Sequence, residues 1–418
     1  MAELVRMLGD PQKCFPVIHI TGTNGKGSTA AMISALLAQR GLAVGTYTSP
    51  DLENICERIM RNGEAIPEDD LAASLEAVAA VEGLVSERPW RFEILTAAAY
   101  SWFSEVAVDI AVIEVGLGGL YDATNVADAS VAVVTNIGLD HIDVLGPSVE
   151  SIAKEKSGIV KPGSVLVLGE TEEPARSVLL RAPASRVVEL GRDIVIEQST
   201  AAVGGRLVEV RTPLQRYPFV LVPLYGAHQA ANAGIAIAAA EAFFEAPLPI
   251  ELVREAMLSV KVPGRMEIVG RDPLVILDGA HNPDGARAVG RTLAEEFSSF
   301  ARRVVVLGVL GGHDPGEMLD ALGTFQVAGV VAVEPPSPRA ISAGEVEAAA
   351  SERNLACRRA SGVQQALEEA IEWAGAEGMV LVTGSLYLVG AARSLLVEPP
   401  AAAVTPSNTN GTASLGAE

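Results

Sequence analysis

A glycine-rich turn between an apolar strand and a helical stretch constrains this chain more than any other feature. Residues 21–29 read Thr-Gly-Thr-Asn-Gly-Lys-Gly-Ser-Thr, and they follow the apolar run 16–20. Glycines let backbone N–H groups crowd around an anion, and a helix N-terminus adds partial positive charge. Lys26 supplies a mobile cation for outer phosphates, and Ser28 supplies a hydroxyl for magnesium. The run departs from the strict phosphate-loop pattern, but we still predict a nucleoside triphosphate site. The alternative is a glycine-rich turn that binds nothing.

Composition and charge limit the class of protein. The 418 residues suffice for two or three domains, and 49% are hydrophobic, which suits a helix-rich soluble enzyme. We find no apolar run of the roughly 18 residues that span a membrane, and residues 1–14 lack the apolar core of a signal peptide. Cys14, Cys56 and Cys357 show no metal or disulfide spacing, so we expect a reducing cytoplasm. A formal charge of −21 argues against a nucleic-acid partner and requires local positive charge at any anionic substrate.

Apolar strands alternate with helical patterns in the first part of the chain, which is typical of a parallel sheet covered by helices. The predicted strands are residues 42–46, 110–115, 131–135 and 165–168. The predicted helices are residues 67–81, 94–103, 228–244 and 250–258. Short strands over 187–222, with a hairpin candidate at Gly204-Gly205, indicate a small β addition.

A second α/β series follows a predicted linker at residues 262–265. Its predicted strands are residues 275–277, 304–309, 330–333 and 379–382. The predicted fold class is α/β. Residues 1–262 are expected to form a P-loop NTPase-like domain with a parallel sheet and the β addition, and 263–397 a Rossmann-like α/β domain. Residues 398–418 lack aromatic and basic side chains and are expected to form a disordered tail.

Further polar candidates lie at predicted strand ends, where open α/β sheets place their ligands. Glu114 ends one strand before a glycine-rich run, and a carboxylate there can bind magnesium, with a solvated turn as the alternative. His141 is a candidate metal ligand, with a packed or capping histidine as the alternative, because imidazole is a soft partner for magnesium. Ser49 offers a hydroxyl in the same region, or belongs to a plain turn. Lys156 lies in a charged helical stretch whose spacing alone indicates an exposed helix face.

Short segments spread over nearly the whole chain match one family in order. They are residues 22–28, 48–50, 114–119, 122–125, 139–141, 155–159, 228–229, 232–233, 263–265, 278–283 and 383–387. Together they resemble bacterial folylpolyglutamate synthase/dihydrofolate synthase, within the Mur ligase superfamily. The first two segments are shared with cell-wall Mur ligases, whereas 278–283 and 383–387 point to the folate branch. The resemblance implies an ATP-dependent amide ligase that adds L-glutamate to a pteroate or folate carboxylate through an acyl phosphate.

The resemblance also implies roles for the matching residues. The implied ATP-binding set is Gly25, Lys26, Gly27, Ser28, Asn232, Arg265 and Asp278. The implied ligands of two magnesium ions are Ser28, Ser49, Glu114 and His141. Lys156 matches the lysine that the family carbamylates with carbon dioxide to support a metal, and Lys26, Lys156 and His141 form the implied catalytic set. The implied substrate contacts are Glu93, Tyr121, Asp122, Ala123, His281 and Ser385.

Departures from the family pattern leave the acceptor open. Leu120 stands where the family usually has an arginine, Asp51 where it has a histidine, and the segment before the first strand is short. A Mur-type ligase for another carboxylate, such as a muropeptide, and a P-loop regulatory ATPase are the alternatives. We expect a monomer whose partners are ATP, L-glutamate and dihydropteroate or reduced folate, without nucleic acid or membrane. The sequence leaves open whether the product is dihydrofolate, a longer glutamate chain, or both.

Overall fold

The structure is a computed structural model that describes residues 1–300, 302–323 and 327–397. The predicted disordered tail, 398–418, lies outside the described residues. Within the described ranges, we find no helix with the length and apolar character needed to cross a membrane.

An eight-stranded sheet organises the first part of the chain, in the order β4-β3-β2-β5-β1-β6-β7-β8. Its strands are β1 Val17–Thr21, β2 Val44–Tyr47, β3 Ile59–Arg61, β4 Glu64–Ala65, β5 Ile110–Glu114, β6 Ala129–Asn136, β7 Val165–Glu170 and β8 Arg186–Glu189. The run from β2 to β8 is parallel, whereas β3 and β4 form an antiparallel edge. The predicted β addition was wrong at its start, because β8 pairs with β7 and completes this sheet.

Helices cover both faces of this sheet. They are α1 Ala2–Met7, α2 Lys26–Gln39, α3 Glu68–Glu82, α4 Arg91–Glu105, α5 Ile142–Leu145, α6 Val149–Ser157, α7 Ala175–Leu179, α8 Ala227–Phe244 and α9 Ile250–Leu258. Successive side chains of a buried strand point to opposite faces, so β1 contributes to a core on each side of the sheet. Ile18 and Ile20 join the core beneath α2 and α8, while Val17 joins the core beneath α3 and α4.

A small antiparallel sheet packs beside α8 and has the order β11-β10-β9. Its strands are β9 Val195–Ala202, β10 Gly205–Arg211 and β11 Arg216–Val222. The predicted hairpin is confirmed, since Ala202 pairs with Gly205 across a turn in which Gly204 has a φ of +82°. We call this sheet, the eight-stranded sheet and their helices the first lobe.

A six-stranded sheet forms the second lobe, in the order β12-β13-β17-β14-β15-β16. Its strands are β12 Glu267–Arg271, β13 Leu274–Leu277, β14 Arg303–Leu307, β15 Gly329–Ala332, β16 Cys357–Arg359 and β17 Met379–Thr383. Its helices are α10 Pro283–Glu296, α11 Pro315–Ala321, α12 Ala343–Glu352, α13 Val363–Ala374 and α14 Leu386–Leu396. The sheet is parallel except at β12, an edge strand that the sequence analysis did not predict. The α/β fold class is therefore confirmed.

Candidate active site

The glycine-rich turn closes tightly between β1 and α2. Gly22 has a φ of +151°, and a Cβ there would lie 1.9 Å from Thr135 Oγ1. Gly25 has a φ of +81°, and a Cβ there would lie 2.8 Å from Asn232 Oδ1. Both positions require glycine, because a side chain would meet a neighbour and strain the backbone. The turn directs the N-terminus of α2 into a cleft, as an anion site requires.

One cleft between the two lobes brings together every predicted ATP and metal residue. Its lining from the first lobe includes Gly25, Lys26, Gly27, Ser28, Ser49, Glu114, His141, Lys156 and Asn232. Its lining from beyond the first lobe includes Arg265, Asp278 and His281. The first-lobe residues converge because parallel strands β1, β2, β5 and β6 end at the same edge of the sheet.

Two lysines share one backbone carbonyl in this cleft. Lys26 Nζ donates to Gly22 O at 3.0 Å and to Thr23 O at 3.1 Å, while Lys156 Nζ donates to Gly22 O at 2.8 Å. Burial, with Lys26 nearby, lowers the pKa of Lys156 to about 7. Burial also lowers the pKa of Lys26, although Glu114 opposes that shift. Lys156 is only 4% exposed, so the prediction of an exposed helix face was wrong for Lys156, whereas Lys154 on the same helix is exposed.

A buried carboxylate and two hydroxyls lie beside the phosphate loop. Glu114 Oε2 accepts a hydrogen bond from Ser49 N at 3.4 Å, and burial raises the pKa of Glu114 while Lys26 opposes the shift. Ser28 lines the same wall. Within the described part of the chain, no three His, Cys, Asp or Glu side chains are grouped to hold a metal. Magnesium commonly takes one or two carboxylates together with hydroxyl, water and substrate phosphate oxygens, so this donor set fits it.

A cluster of imidazoles lies where the lobes meet. His141 is 44% exposed at the start of α5, and burial lowers its pKa although Asp140 opposes the shift. His281 Nδ1 lies 3.0 Å from Gly279 O, and burial lowers the pKa of His281 to about 4. The His313 ring lies 6.3 Å from that of His141 and 5.8 Å from that of His281. Neither Asp140 nor His313 was among the predicted site residues, although Asp140 belongs to a matching segment.

Other cleft residues hold each other in place. Asp278 accepts backbone hydrogen bonds from Met266 N at 2.9 Å and Ala280 N at 2.8 Å. Burial raises the pKa of Asp278, and Arg265 opposes that shift. Asn232 Nδ2 donates to Gln229 Oε1 at 3.0 Å, so the amide of Asn232 is oriented within α8. Gln229 and its neighbour His228 line the cleft and had received no predicted role.

Five of the six predicted substrate residues are not part of the cleft lining. Glu93 accepts from the Met1 ammonium and from Trp90 N, both at 2.8 Å, and caps α4. Ser385 is buried, and its Oγ accepts from Leu388 N to cap α14, next to the lining residue Leu386. His281 alone of the six contributes directly to the lining.

The loop after β5 carries the other three predicted substrate residues. Asp122 accepts from Leu117 N and Thr124 N, both at 2.9 Å, so its carboxylate shapes the loop. Ala123 is buried there, and Tyr121 is 86% exposed with its N–H donating to Glu155 Oε1. Gly116, Leu117 and Gly118 of the same loop line the cleft, so the loop reaches the site through its backbone.

Known proteins are similar to this chain in both sequence and architecture. The Mur ligase middle domain matches residues 20–240, and the Mur ligase glutamate ligase domain matches residues 264–386. The dihydrofolate synthase/folylpolyglutamate synthase of Mycobacterium tuberculosis is 37% identical over 96% of this chain and 90% of that protein. The Bacillus subtilis protein of the same name is 33% identical over 95% of this chain and 94% of that protein.

Solved structures agree with this similarity. Mycobacterium tuberculosis folylpolyglutamate synthase complexed with ADP has a TM-score of 0.91 and 38% identity, over 95% of this chain and 94% of that chain. E. coli FolC in complex with DHPP and ADP has a TM-score of 0.85 and 30% identity, over 94% of this chain and 91% of that chain.

Proposed function

The chain belongs to the Mur ligase family, in its folylpolyglutamate synthase/dihydrofolate synthase branch, and on that premise we propose how its cleft works. It is an ATP-dependent ligase that adds L-glutamate to a pteroate or folate carboxylate through an acyl phosphate. One observation carries the proposal: the phosphate loop, Glu114 and Lys156 line a single cleft together with Arg265 and Asp278.

The phosphate loop holds ATP for the first step. Backbone N–H groups at Gly25 to Ser28 and the Lys26 ammonium bind the phosphates, while Asn232, Arg265 and Asp278 contact the nucleotide. An oxygen of the acceptor carboxylate attacks the γ-phosphorus, the bond to the β–γ bridging oxygen breaks, and ADP leaves with the electron pair. Positive charge around the transferring group lowers the barrier, because negative charge gathers there in the transition state.

The second step makes the amide. The neutral amine of glutamate attacks the carbonyl carbon of the acyl phosphate and loses a proton, and the bond to the phosphate oxygen breaks as phosphate leaves. His281 and Ser385 are the proposed glutamate contacts, and both belong to the second lobe. Closure of the two lobes excludes water, which would otherwise hydrolyse the acyl phosphate.

Magnesium and a carbamylated Lys156 complete the proposed site. Ser28, Ser49, Glu114 and His141 are the proposed ligands, and bound magnesium would neutralise phosphate charge and polarise the transferring group. The lowered pKa of Lys156 supports carbamylation, because only a neutral amine reacts with carbon dioxide. Burial also lowers the pKa of His141, which favours the neutral imidazole that can bind a metal.

The acceptor side of the proposal rests on the loop after β5. We place the pteroate beside Glu93 and residues 121–123, and the complex of the E. coli relative with DHPP supports this class of acceptor. We further propose a nucleotide domain over residues 1–262, a glutamate-ligase domain over 263–397, a monomer, and a cytoplasmic location with small molecules as the partners.

A substrate panel tests the function. ADP release would be measured with dihydropteroate, tetrahydrofolate and a muropeptide, each with and without L-glutamate. We expect ADP release only when a folate-type acceptor and glutamate are both present. Release with dihydropteroate would indicate dihydrofolate synthesis, and release with tetrahydrofolate would indicate extension of the glutamate chain. ADP release with the muropeptide and with neither folate-type acceptor would instead indicate a cell-wall ligase. ADP release without any acceptor would indicate a regulatory ATPase.

A further inference from the structure

The N-terminus of α10 docks directly onto the phosphate loop. Asn282 is the N-cap of α10, and its Oδ1 accepts a hydrogen bond from Gly285 N at 2.8 Å. The residue is 2% exposed although it lies between two lobes. Such burial of an amide requires its polar atoms to find partners, and the partners outside α10 lie in the first lobe.

The partner of Asn282 is an asparagine of the phosphate loop itself. Asn24 Nδ2 donates to Asn282 Oδ1 at 3.3 Å, and Asn282 Nδ2 donates to Asn24 Oδ1 at 3.2 Å. Asn282 Nδ2 also donates to Asp140 Oδ2 at 3.0 Å. Asn24 is fixed in turn, because its N–H donates to Asn136 Oδ1 at 2.9 Å.

These contacts use the whole hydrogen-bonding capacity of one amide. Asn282 Nδ2 has two hydrogens, which go to Asn24 and Asp140, and Oδ1 has two lone pairs, which accept from Asn24 and Gly285. Only an amide side chain of this length provides two donors and two acceptors at once. A serine keeps the helix cap but reaches none of the first-lobe partners, because its hydroxyl ends one bond earlier.

We propose that Asn24 and Asn282 form a clasp that closes the second lobe onto the phosphate loop and so positions the glutamate site. The clasp rests on the proposed function. His281 precedes Asn282 in the chain and lines the cleft, so the position of Asn282 sets the position of His281 relative to the phosphates. Asn24 and Asn282 are positioning residues, since they act through the loops that carry the reacting groups.

The test is a double-mutant cycle with Asn282→Ser, Asn24→Ala and the double variant. Each single change is expected to lower kcat/KM for glutamate about tenfold, since a buried reciprocal pair is lost. In Asn282→Ser the affinity for ATP should change less than about twofold, because Asn282 lies outside the phosphate loop and the proposed nucleotide contacts remain. ADP released per amide formed should rise as water enters the open cleft. The double variant should lose no more than the worse single variant, because both remove one contact.

Asp314→Ser is the matched control, because Asp314 also caps a second-lobe helix with proline at its first position, through Glu317 N at 3.0 Å. That variant should keep the wild-type coupling of ADP release to amide formation. Additive losses in the cycle, or wild-type glutamate kinetics in Asn282→Ser, would overturn the clasp.

Hydrogen exchange separates failure of the clasp from failure of the proposed function. With ADP bound, Asn24→Ala should speed amide exchange over residues 278–288 of the opposite lobe, whatever the acceptor substrate is. Unchanged exchange there would refute the clasp even in an active ligase. Faster exchange in an enzyme that makes no folate product would support the clasp and reject the function.

Discussion

Replacing Lys156 by alanine tests the most unusual group in the cleft. The amine is buried and donates to Gly22 O at 2.8 Å, next to the Lys26 ammonium, which holds the same carbonyl. A second cation in this position would repel the first, and burial removes the water that stabilises charge. The structure therefore favours a neutral amine, which is the form that carbon dioxide can modify.

The magnitude follows from the pKa. A pKa of about 7 leaves about three quarters of the Lys156 amines neutral at a pH of about 7.5, whereas the ordinary value of 10.5 leaves about one in a thousand. Burial thus multiplies the reactive amine roughly several hundredfold. Because the lowered pKa concerns a base, protonation increases as pH falls, so the carbamate and the activity should both decline below a pH of about 7.

The assay combines ADP release with detection of the carbamate. In the wild-type enzyme, ¹³C-bicarbonate should give a carbamate carbon signal that fades on acidification in parallel with activity. Lys156→Ala should lose both the signal and at least about a hundredfold in kcat, and short carboxylates such as acetate should restore part of the rate. Lys154→Ala is the matched control, since Lys154 lies exposed on the same helix and should retain full activity.

Two results would refute this reasoning. Lys156→Ala with full activity and no response to acetate would show that the lysine supports no metal. A wild-type carbamate signal that persists in Lys156→Ala would assign the modification to another amine.

Four further predictions concern the same cleft and its closure. Lys26→Ala should abolish ADP release in the substrate panel while the protein still folds, as circular dichroism would show. Glu114→Gln should raise the magnesium concentration for half-maximal activity more than about tenfold. In the wild-type enzyme this magnesium concentration should rise as pH falls, because the raised pKa of Glu114 promotes protonation of its carboxylate. Gly390→Ala should lower the rate of amide formation but not ATP affinity, since a Cβ there would lie 2.0 Å from Leu52 O in the contact between lobes. Lys156→Met should raise the free energy of unfolding at a pH of about 6 by at most about 5 kcal/mol, because at that pH the amine is protonated in both states and its charge is less stable when buried. Equal denaturant midpoints would contradict this.

Locally encoded elements were predictable from the sequence. The phosphate loop, strands such as β5 and β7, and the hairpin at Gly204 depend on short-range apolar runs and glycine turns. The β3–β4 edge was missed although Asn62-Gly63, with φ values of 52° and 82°, carries a strong two-residue hairpin signal. The assignment of β8 to the small β addition was wrong, because β8 pairs with β7. Strand pairing is non-local, and the hydrophobic pattern of a short edge strand resembles that of a hairpin strand.

The residues predicted to bind ATP and metal all line the cleft, but most of the predicted substrate residues do not, and the contacts between cleft residues were not predictable. Glu114, Ser49 and His141 could be placed near one another because parallel strands end at one edge. The burial of Lys156 could not, since its helix has a polar sequence and the contact with Gly22 joins residues 134 positions apart in the chain. The amide pair of Asn24 and Asn282 likewise joins residues far apart in the chain, and periodicity contains no information on such a contact.

Charge balance in the cleft links carbamylation to metal binding. The chain has a formal charge of −21, and ATP and folate are both anions, so the cleft must supply local positive charge. Lys26, Lys156 and Arg265 line it, and Glu114 and Asp140 oppose them. Carbamylation turns Lys156 from a potential cation into an anion, which by itself would weaken phosphate binding. The proposed modification would therefore be favourable only where divalent cations restore the balance. A carbamylated lysine and metal-bound ATP would then stabilise each other in the same cleft.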